Sequence, residues 1–207
     1  MTNDEVYAAG ILTRALDPTT QPEAIRDFLR AEECLVEELI PRGARVVDLG
    51  CGMGRHLIGL RDRISLGVGI DYERIYIAEA MRRNPGRPLH FLVADATAVP
   101  LRLEFDAAFC LTNTWGTMSD KLAVLGEMRR LAPKPGTRLI TVYASASVEP
   151  RCEWYTNMGH EVIEVTDECI VTQGGFRSEH FTEDRLRNLV GACELHAIGD
   201  VAYVVQV

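Results

Sequence analysis

The sequence predicts an α/β fold in which helices cover a mainly parallel β-sheet. Two observations carry this prediction. Between Arg45 and Tyr143, short runs rich in β-branched and apolar residues alternate with helical patterns, which is typical of a parallel sheet with helical connections. The 207 residues are also 47% hydrophobic, which is enough apolar material for one core. We therefore expect residues 1–207 to form a single domain.

The predicted elements begin with two helical patterns, Asp4–Leu16 and Pro22–Leu39, joined by a turn at Asp17-Pro18-Thr19-Thr20. We expect residues 1–40 to form an N-terminal helical cap. The predicted strands that follow are Arg45–Leu49, Ser65–Ile70, Leu89–Ala94, Phe105–Thr112 and Thr137–Tyr143. The helical patterns that separate most of them are Arg55–Arg61, Glu73–Arg83 and Asp120–Leu131.

The pattern changes after the fifth strand. Two β-like runs, Glu161–Val165 and Cys169–Gln173, flank a polar turn and predict a β-hairpin excursion within residues 148–181. Thr182 is a suitable N-cap for a helix at Glu183–Val190. The runs Glu194–Ile198 and Ala202–Val207 then predict two further strands.

Charge and cysteine spacing exclude several classes of function. Thirty acidic against 22 basic side chains give a net charge of -8, which disfavours a nucleic-acid partner. The six cysteines contain no CxxC pair, so we expect reduced thiols and no metal site. We see no signal peptide and no membrane-spanning run, so we expect a cytoplasmic protein. We also expect a monomer or homodimer that does not bind membranes.

The segment VVDLGCGMGRHLIGL, Val46–Leu60, joins the first strand to a helix through three alternating glycines. Glycines at such a turn permit positive φ angles and let a ligand approach the bare backbone. The spacing is GxGxG, and Arg55 stands where a dinucleotide-binding turn needs its third glycine. Asp48, two residues before Gly50, suits a cationic ligand better than a pyrophosphate. The turn therefore favours a sulfonium-bearing nucleoside over a dinucleotide.

From Arg45 to Val207 the sequence resembles the class I S-adenosylmethionine-dependent methyltransferases. The motifs that carry the resemblance are Asp48-Leu49-Gly50-Cys51-Gly52-Met53-Gly54, Gly69-Ile70-Asp71, Ala94-Asp95-Ala96, Phe105-Asp106-Ala107-Ala108-Phe109 and Leu131-Ala132-Pro133-Lys134-Pro135-Gly136-Thr137. The resemblance implies a doubly wound, mainly parallel seven-stranded sheet with helices on both faces and an antiparallel last strand. It also implies S-adenosylmethionine as the cofactor and S-adenosylhomocysteine as the product.

The resemblance assigns cofactor-binding roles to residues at the strand ends. They are Asp48, Gly50, Cys51, Gly52, Gly54, Asp71, Tyr72, Asp95, Ala96 and Leu111. Asp71 is expected to hold the ribose hydroxyls, Asp95 the adenine amino group, and Tyr72 to lie over the adenine face. Alternatives remain for each: Asp71 is also placed to cap a helix, Asp95 to cap a loop, and Tyr72 to pack in the fold.

The acceptor site is expected between the end of the fourth strand and the excursion. Asn113 and His180 are the candidate catalytic residues, with His180 as a possible general base near neutral pH. The candidate substrate-binding residues are Trp115, Tyr143, Tyr155 and Arg177. The alternatives are a turn-forming Asn113 and an ordinary surface loop around His180. For Tyr7 and Arg14 on the first helix, a solvent-exposed face is the favoured interpretation.

The predicted function is methyl transfer from S-adenosylmethionine to N, O or C of a small-molecule acceptor. The sulfonium already activates the methyl group, so the protein mainly positions the acceptor and excludes water. The alternatives are a protein or RNA methyltransferase and a non-catalytic S-adenosylmethionine-binding module. No NPPY-type signature is present, which disfavours nucleobase adenine as the acceptor.

Overall fold

The structure is a computed structural model that describes residues 3–8, 10–84, 86 and 88–207. Its helices are α1 (Asn3–Ala8), α2 (Ile11–Ala15), α3 (Glu23–Leu39), α4 (Arg55–Leu60), α5 (Arg74–Arg83), α6 (Lys121–Leu131), α7 (Val148–Asn157) and α8 (Glu183–Val190). Its strands are β1 (Arg45–Leu49), β2 (Leu66–Asp71), β3 (Leu89–Val93), β4 (Ala107–Cys110), β5 (Thr137–Tyr143), β6 (Val162–Val165), β7 (Cys169–Thr172), β8 (Arg177–Glu179), β9 (Glu194–Ile198) and β10 (Ala202–Gln206).

The main sheet has seven strands in the order β3-β2-β1-β4-β5-β10-β9. Strands β1 to β5 are parallel, and β10 is antiparallel to both of its neighbours, β5 and β9. Strands β1 and β4 are adjacent, so the strand order reverses between them, where Asp48 is paired with Phe109. Ligands of open α/β sheets bind beyond the carboxyl ends of the strands at such a reversal. The predicted doubly wound sheet is confirmed.

Two hydrophobic clusters cover the two faces of the main sheet. One contains Phe28 of α3 and Leu57 of α4, and the other contains Val124 of α6 and Leu186 of α8. The central strands are buried on both faces, which is why their sequences are nearly continuous apolar runs rather than alternating ones. The helical layers leave the carboxyl-terminal edge of the sheet as the place for a site.

The first predicted helix, Asp4–Leu16, is two helices in the structure. Gly10 separates α1 from α2 and has a φ of 87°, in the left-handed region that glycine adopts without strain. Tyr7 of α1 and Leu12 of α2 both line a cavity at the carboxyl-terminal edge of the sheet.

The excursion contains more structure than the predicted hairpin. It begins with helix α7, and Pro150 lies in the first turn of this helix, where the missing N–H of proline costs little. Strands β6, β7 and β8 then form a three-stranded antiparallel sheet rather than a two-stranded hairpin. The short strand β8 lies next to the turn that follows β4, so the excursion contributes to the same edge of the main sheet.

Strand β4 is shorter than the predicted strand Phe105–Thr112. It ends at Cys110. Two residues later, Thr112 and Asn113 have φ angles of 51° and 59°. Non-glycine residues rarely adopt such angles, and they concentrate at functional sites. The chain therefore turns sharply at the point where β4 reaches the candidate site.

All six cysteines are free thiols. Three of them, Cys51, Cys110 and Cys169, are buried. Of the helices in the described residues, none has both the length and the hydrophobicity that a bilayer crossing needs.

Candidate active site

A cavity of about 980 Å³ opens at the carboxyl ends of β1, β2 and β4. Its walls come from the glycine turn after β1, the acids that end β1 and β2, the turn after β4, helices α1 and α2, and strand β8. Pockets for one drug-sized ligand measure roughly 300–1,000 Å³, so this cavity lies at the upper end of that range. It has room for a nucleoside-sized molecule and a second, smaller one.

The glycine turn is folded against the end of β2. The backbone N–H groups of Gly50 and Cys51 both donate to the carbonyl of Ile70, at 2.7 and 2.9 Å. A Cβ atom on Gly50 would lie 2.3 Å from Cγ2 of Thr114, and one on Gly52 would lie 2.7 Å from Cδ1 of Leu12. Both glycines line the cavity, so the turn presents backbone rather than side chains to a ligand.

Gly54 has a different role from the other two glycines. A Cβ atom there would lie 2.7 Å from Cε1 of Phe91 on β3, and Gly54 is not among the residues that line the cavity. Its missing side chain allows α4 to pack closely against the sheet. The structure therefore does not bring Gly54, a predicted cofactor-binding residue, to the cavity.

Asp71 ends β2 and fixes the glycine turn. Its Oδ2 accepts from the backbone N–H of Gly52 at 2.8 Å, and its Oδ1 accepts from that of Glu73 at 2.9 Å. Burial raises the pKa of Asp71, while these backbone hydrogen bonds oppose the rise. Each carboxylate oxygen accepts more than one hydrogen bond, so Asp71 can hold ribose hydroxyls while it caps the turn. The predicted binding role and its helix-cap alternative are thus compatible.

Asp48 lines the cavity from β1 and has an unpaired oxygen. The residue is 1% exposed, and within the described part of the chain its Oδ2 has no hydrogen-bond partner. Burial raises the pKa of Asp48 to about 6, although His56 and Arg55 partly oppose the rise. A buried carboxylate without a partner is costly, and a cationic ligand group would compensate it. Asp48 therefore fits the positive charge of S-adenosylmethionine.

The adenine side of the predicted cofactor site lies after β2 and β3. Oδ1 of Asp95 accepts from the backbone N–H and the hydroxyl of Thr97, at 2.8 and 2.7 Å. Tyr72, 42% exposed, lines the same cavity together with Ala96 and Leu111. The predicted cofactor residues other than Gly54 are therefore brought to one cavity.

Helix α3 supplies a buried carboxylate that the sequence analysis did not identify. Glu32 is fully buried, and its Oε1 accepts from the backbone N–H of Thr112 at 2.7 Å while its Oε2 accepts from the Thr112 hydroxyl at 2.8 Å. Arg55 donates to the same Oε2, and Nε2 of His56 lies 3.1 Å from it. Glu32 thus joins the N-terminal cap to the glycine-turn helix and to the turn after β4.

The environment of Glu32 keeps it ionised. Burial acts to raise the pKa of Glu32, but His56, Arg55 and the hydrogen bond from Thr112 outweigh burial and hold this pKa well below its ordinary value. The bonds also hold Thr112 in its left-handed conformation at the cavity wall. Since Glu32 is 80 residues from Thr112 in sequence, no local pattern marks the pair.

Asn113 lies behind the cavity wall. Its Nδ2 donates to Oγ of Ser178 at 3.1 Å and to the carbonyl of Glu179 at 3.2 Å, and its Oδ1 accepts from the backbone N–H of Tyr143 at 3.1 Å. The side chain is buried and joins β4, β5 and β8. The structure does not bring Asn113, a predicted catalytic residue, to the cavity.

His180 and the predicted aromatic residues belong to a buried cluster around Arg151 of α7. The Arg151 guanidinium lies 4.3 Å from the ring centre of Tyr143, 3.3 Å from Nδ1 of His180 and 3.3 Å from the hydroxyl of Tyr155. Burial lowers the pKa of His180, and Arg151 lowers it further. None of these residues lines the cavity within the described chain.

Trp115 also packs inside the protein. Its indole N–H donates to the carbonyl of Lys121 at 2.9 Å, and its ring stacks on Phe181 with a centroid distance of 5.7 Å. Of the four predicted substrate-binding residues, the structure brings Arg177 to the cavity. Tyr143, Tyr155 and Trp115 instead support the elements around it.

The far end of the cavity is covered by α1. Nδ2 of Asn3 donates to the carbonyls of Thr117 and Arg177 at 2.7 and 2.9 Å, and Oδ1 of Asn3 accepts from the backbone N–H of Arg177 at 2.7 Å. The Tyr7 hydroxyl donates to Oγ1 of Thr117 at 3.2 Å, and burial raises the pKa of Tyr7. Tyr7 thus lines the cavity, whereas Arg14 binds the carbonyl of Met158 outside it.

The part of the chain that contains Asp48, the glycine turn and Asp71 matches a known family of domains. Residues 46–136 match the family model described as "Methyltransferase domain". Residues 46–136 therefore carry a methyltransferase domain, and the fold around them is shared with solved S-adenosylmethionine-dependent methyltransferases. The unpaired Asp48 oxygen, the bare glycine turn and Asp71 fit S-adenosylmethionine as the cofactor of this domain.

Two curated relatives of this methyltransferase differ in their acceptors. A dTDP-3-amino-3,6-dideoxy-alpha-D-glucopyranose N,N-dimethyltransferase from Streptomyces fradiae is 30% identical over 47% of this chain. A tRNA (carboxymethyluridine(34)-5-O)-methyltransferase, alkbh8, from Xenopus tropicalis is 32% identical over 51% of this chain. The matched segments span only 38% and 16% of the lengths of these relatives.

Solved structures share the fold over most of the methyltransferase chain. The PH0226 protein from Pyrococcus horikoshii aligns with a TM-score of 0.72 and 18% identity, over 91% of this chain and 94% of that one. An S-adenosylmethionine-dependent methyltransferase from Clostridium acetobutylicum aligns with a TM-score of 0.58 and 14% identity, over 87% of this chain and 89% of that one. At sequence identities this low, the alignments show a shared fold and nothing about function.

Proposed function

We propose that this chain transfers the methyl group of S-adenosylmethionine to a nitrogen, oxygen or carbon atom of a small-molecule acceptor that carries an anionic group. The observation that supports this proposal is the continuity of the cavity. Its cofactor end, at Asp48 and Asp71, continues without a break into an end lined by Tyr7, Arg177 and Glu179. Direct transfer requires the methyl donor and the acceptor to lie side by side in one cavity.

At the cofactor end, the side chains hold the cofactor by charge and hydrogen bonds. Asp71 accepts the ribose hydroxyls, Asp95 the adenine amino group, and Asp48 faces the cationic end. When bound, S-adenosylmethionine supplies a methyl group that its sulfonium has already activated. The protein therefore has to align the acceptor with that group and exclude water.

At the acceptor end, one of the cations that line the cavity lacks a carboxylate partner in the part of the chain that the structure describes. Glu179 lies between two cations, with Nζ of Lys121 at 2.6 Å and Nη2 of Arg185 at 2.7 Å. Asp120 accepts from the backbone N–H of Ala123 as the N-cap of α6. Arg177 has no carboxylate partner among the described residues, and its Nη2 contacts Sγ of Cys169 at 3.1 Å. A carboxylate or phosphate on the acceptor would pair with this guanidinium.

Tyr7 is placed to orient the acceptor rather than to take its proton. Burial raises the pKa of Tyr7, so the phenol stays neutral near pH 7, and its proton is already donated to Thr117. The remaining lone pair of the oxygen can accept a hydrogen bond from an N–H or O–H of the acceptor. This role favours an acceptor atom that needs little help in losing a proton, such as an amine nitrogen.

The proposal is tested with methyl-labelled S-adenosylmethionine and a metabolite extract. We expect the purified chain to form S-adenosylhomocysteine and to place the label in the small-molecule fraction. Arg177→Gln should raise the Michaelis constant for that acceptor by about tenfold while S-adenosylhomocysteine affinity is unchanged. Arg102→Gln, on an exposed arginine outside the cavity, is the matched control.

Two results would contradict the proposal. Label that enters RNA or protein and not the small-molecule fraction would favour a macromolecular acceptor, as in the tRNA-modifying relative. Tight binding of S-adenosylmethionine with no S-adenosylhomocysteine formed from any fraction would favour a non-catalytic binding module. The net charge of -8 is the reason that a small acceptor is preferred to RNA.

A further inference from the structure

A second cavity, of about 410 Å³, shares Leu16 and Arg55 with the active-site cavity. Helices α3, α4 and α5 each contribute to its wall. Four arginines, Arg26, Arg30, Arg55 and Arg83, line it, whereas Glu33 is its one acidic lining residue among those the structure describes. We call this cavity the arginine cleft.

The charge of the arginine cleft is opposite to that of the whole protein. The chain has a net charge of -8, yet the cleft gathers four cations against a single carboxylate. Arginine forks match the geometry of phosphate oxygens and bind them through paired hydrogen bonds. We propose that the arginine cleft binds the phosphate group of a small organic phosphate.

Two of the four arginines carry charge that no described carboxylate compensates. Arg55 is paired with Glu32 and Glu33, and Arg83 with Glu79 at 2.7 Å. In contrast, Arg26 donates only to the neutral carbonyl of Gln21, at 2.6 Å.

Arg30 makes no side-chain hydrogen bond or ion pair within the described chain. Arg26 and Arg30 lie four residues apart on α3, where like charges repel each other. A bound phosphate between the helices would remove that repulsion.

The shape of the arginine cleft favours a small ligand over a polyanion. Its volume lies within the range of small-molecule sites, which is roughly 300–1,000 Å³. Leu29 and Ile58 give it an apolar portion that a bare inorganic ion would not use. A nucleic acid would instead need an extended basic surface, and the acidic net charge opposes one.

The test is a calorimetric titration with inorganic pyrophosphate at constant ionic strength, on protein saturated with S-adenosylhomocysteine. Saturation keeps the probe out of the cofactor end of the active-site cavity, and Arg177→Gln, measured in parallel, reports any binding at the acceptor end. The readout needs no methyl transfer, so the result is independent of the proposed function. We expect the wild-type protein to bind pyrophosphate. The double variant Arg26→Gln/Arg30→Gln should bind it at least about tenfold more weakly, because two charge-assisted contacts are lost. The control Arg102→Gln should bind as the wild type does.

Three outcomes would overturn the proposal. The first is the absence of pyrophosphate binding by a wild-type protein whose thermal unfolding is cooperative. The second is an equal loss of binding in Arg102→Gln and in the double variant, which would indicate a non-specific charge effect. The third is binding of an RNA oligonucleotide, weakened by the double variant, without binding of pyrophosphate. Glycerol 3-phosphate, as a second probe, should bind at least as well as inorganic phosphate if the apolar portion contributes.

Discussion

The two ends of the active-site cavity are held in different ways. At the cofactor end, Asp48 and Asp71 stand on adjacent buried strands, and Asp71 is locked by two backbone hydrogen bonds. At the acceptor end, α1 and β8 are short, and Asn3 and Tyr7 attach α1 through four hydrogen bonds to Thr117 and Arg177. Elements with few buried contacts open at low free energy cost. The cofactor end is thus preformed, whereas the acceptor end can adjust to its ligand.

Glu32 lies at the junction of the two ends, and its removal should have the largest effect. In Glu32→Ala, Arg55 and His56 lose their buried partner and the backbone N–H of Thr112 loses its acceptor. We expect the free energy of unfolding to fall by about 3–5 kcal/mol, as for broken buried ion pairs. Chemical denaturation measures it.

Glu33→Ala is the matched control for Glu32→Ala. Glu33 binds the same Arg55 but its side chain is 50% exposed, so its loss should cost about 0–1 kcal/mol. Faster hydrogen exchange around residues 111–114 should accompany the loss of Glu32 and not the loss of Glu33. Equal destabilisation by the two variants would show that the buried network does not hold the turn after β4.

The second prediction concerns Asp71, whose substitution should disrupt the preformed cofactor end. In Asp71→Ala the ribose hydroxyls lose an ionised acceptor, which is worth about 1.5–3 kcal/mol. S-adenosylhomocysteine affinity, measured by calorimetry, should fall at least about tenfold while circular dichroism shows an intact fold. Asp95→Ala is the comparison, and its smaller effect is expected because Asp95 is exposed. Unchanged affinity in Asp71→Ala would leave this residue as a turn cap only.

The third prediction is a pH dependence that depends on Asp48. The pKa of Asp48 is raised to about 6, so its folded form binds a proton more tightly than an unfolded carboxyl does. Its contribution to stability therefore falls as the pH rises from about 4 to 6. A cationic ligand prefers the ionised form, so S-adenosylmethionine affinity should rise over the same pH range, by up to about tenfold per pH unit.

Asp48→Asn should remove this pH dependence. At pH 7.5 we expect S-adenosylmethionine to bind about tenfold more weakly, because the cation loses its counter-charge. We also expect a higher midpoint of thermal unfolding, because a buried charge is gone. Calorimetry from pH 5 to 8 and thermal unfolding measure both. A sloping affinity profile that persists in the variant would assign the titration to another group.

The fourth and smallest effect is expected at the attachment of α1 and α2. The Tyr76 hydroxyl donates to the carbonyl of Tyr7 at 2.6 Å and accepts from the backbone N–H of Leu12 at 3.3 Å. Tyr76→Phe removes both bonds, which are worth about 0.5–1.5 kcal/mol each. We expect S-adenosylhomocysteine to dissociate about fivefold faster, with faster hydrogen exchange in residues 10–16. Stopped-flow displacement measures the rate, and an unchanged rate would show that these helices do not limit release.

The sequence was sufficient to predict that the residues of the cofactor end lie at one edge of the sheet, because its signals are local. An acid, alternating glycines and a second acid each stand at the end of a predicted strand, and parallel strands bring those ends to one edge. Side-chain direction was the missing information at the acceptor end. Helix α7 was not predicted, and its Arg151 draws Tyr143, Tyr155 and His180 into a buried cluster.

Long-range pairs account for the remaining differences. Glu32 and Thr112 meet only when α3 packs against the sheet, and nothing in the sequence near either residue marks the other. Tyr7 has the periodicity of an ordinary helix face, and its place in the cavity follows from the break at Gly10. The contacts in the folded structure identify these residues as functional candidates, whereas their spacing in the sequence does not.

The position of β10 between β5 and β9 has a consequence for the order in which the fold is assembled. Strand β9 pairs with β10, and β10 in turn pairs with β5, so β9 joins the sheet through a strand that follows it in the chain. Tight hairpins form quickly because their contacts are local, whereas pairing with β5 must close a loop of about 60 residues. We therefore expect β9 and β10 to dock as a preformed hairpin onto strands that already carry the cofactor end. Synthesis from the N-terminus would then allow cofactor-binding structure to form before the sheet is complete.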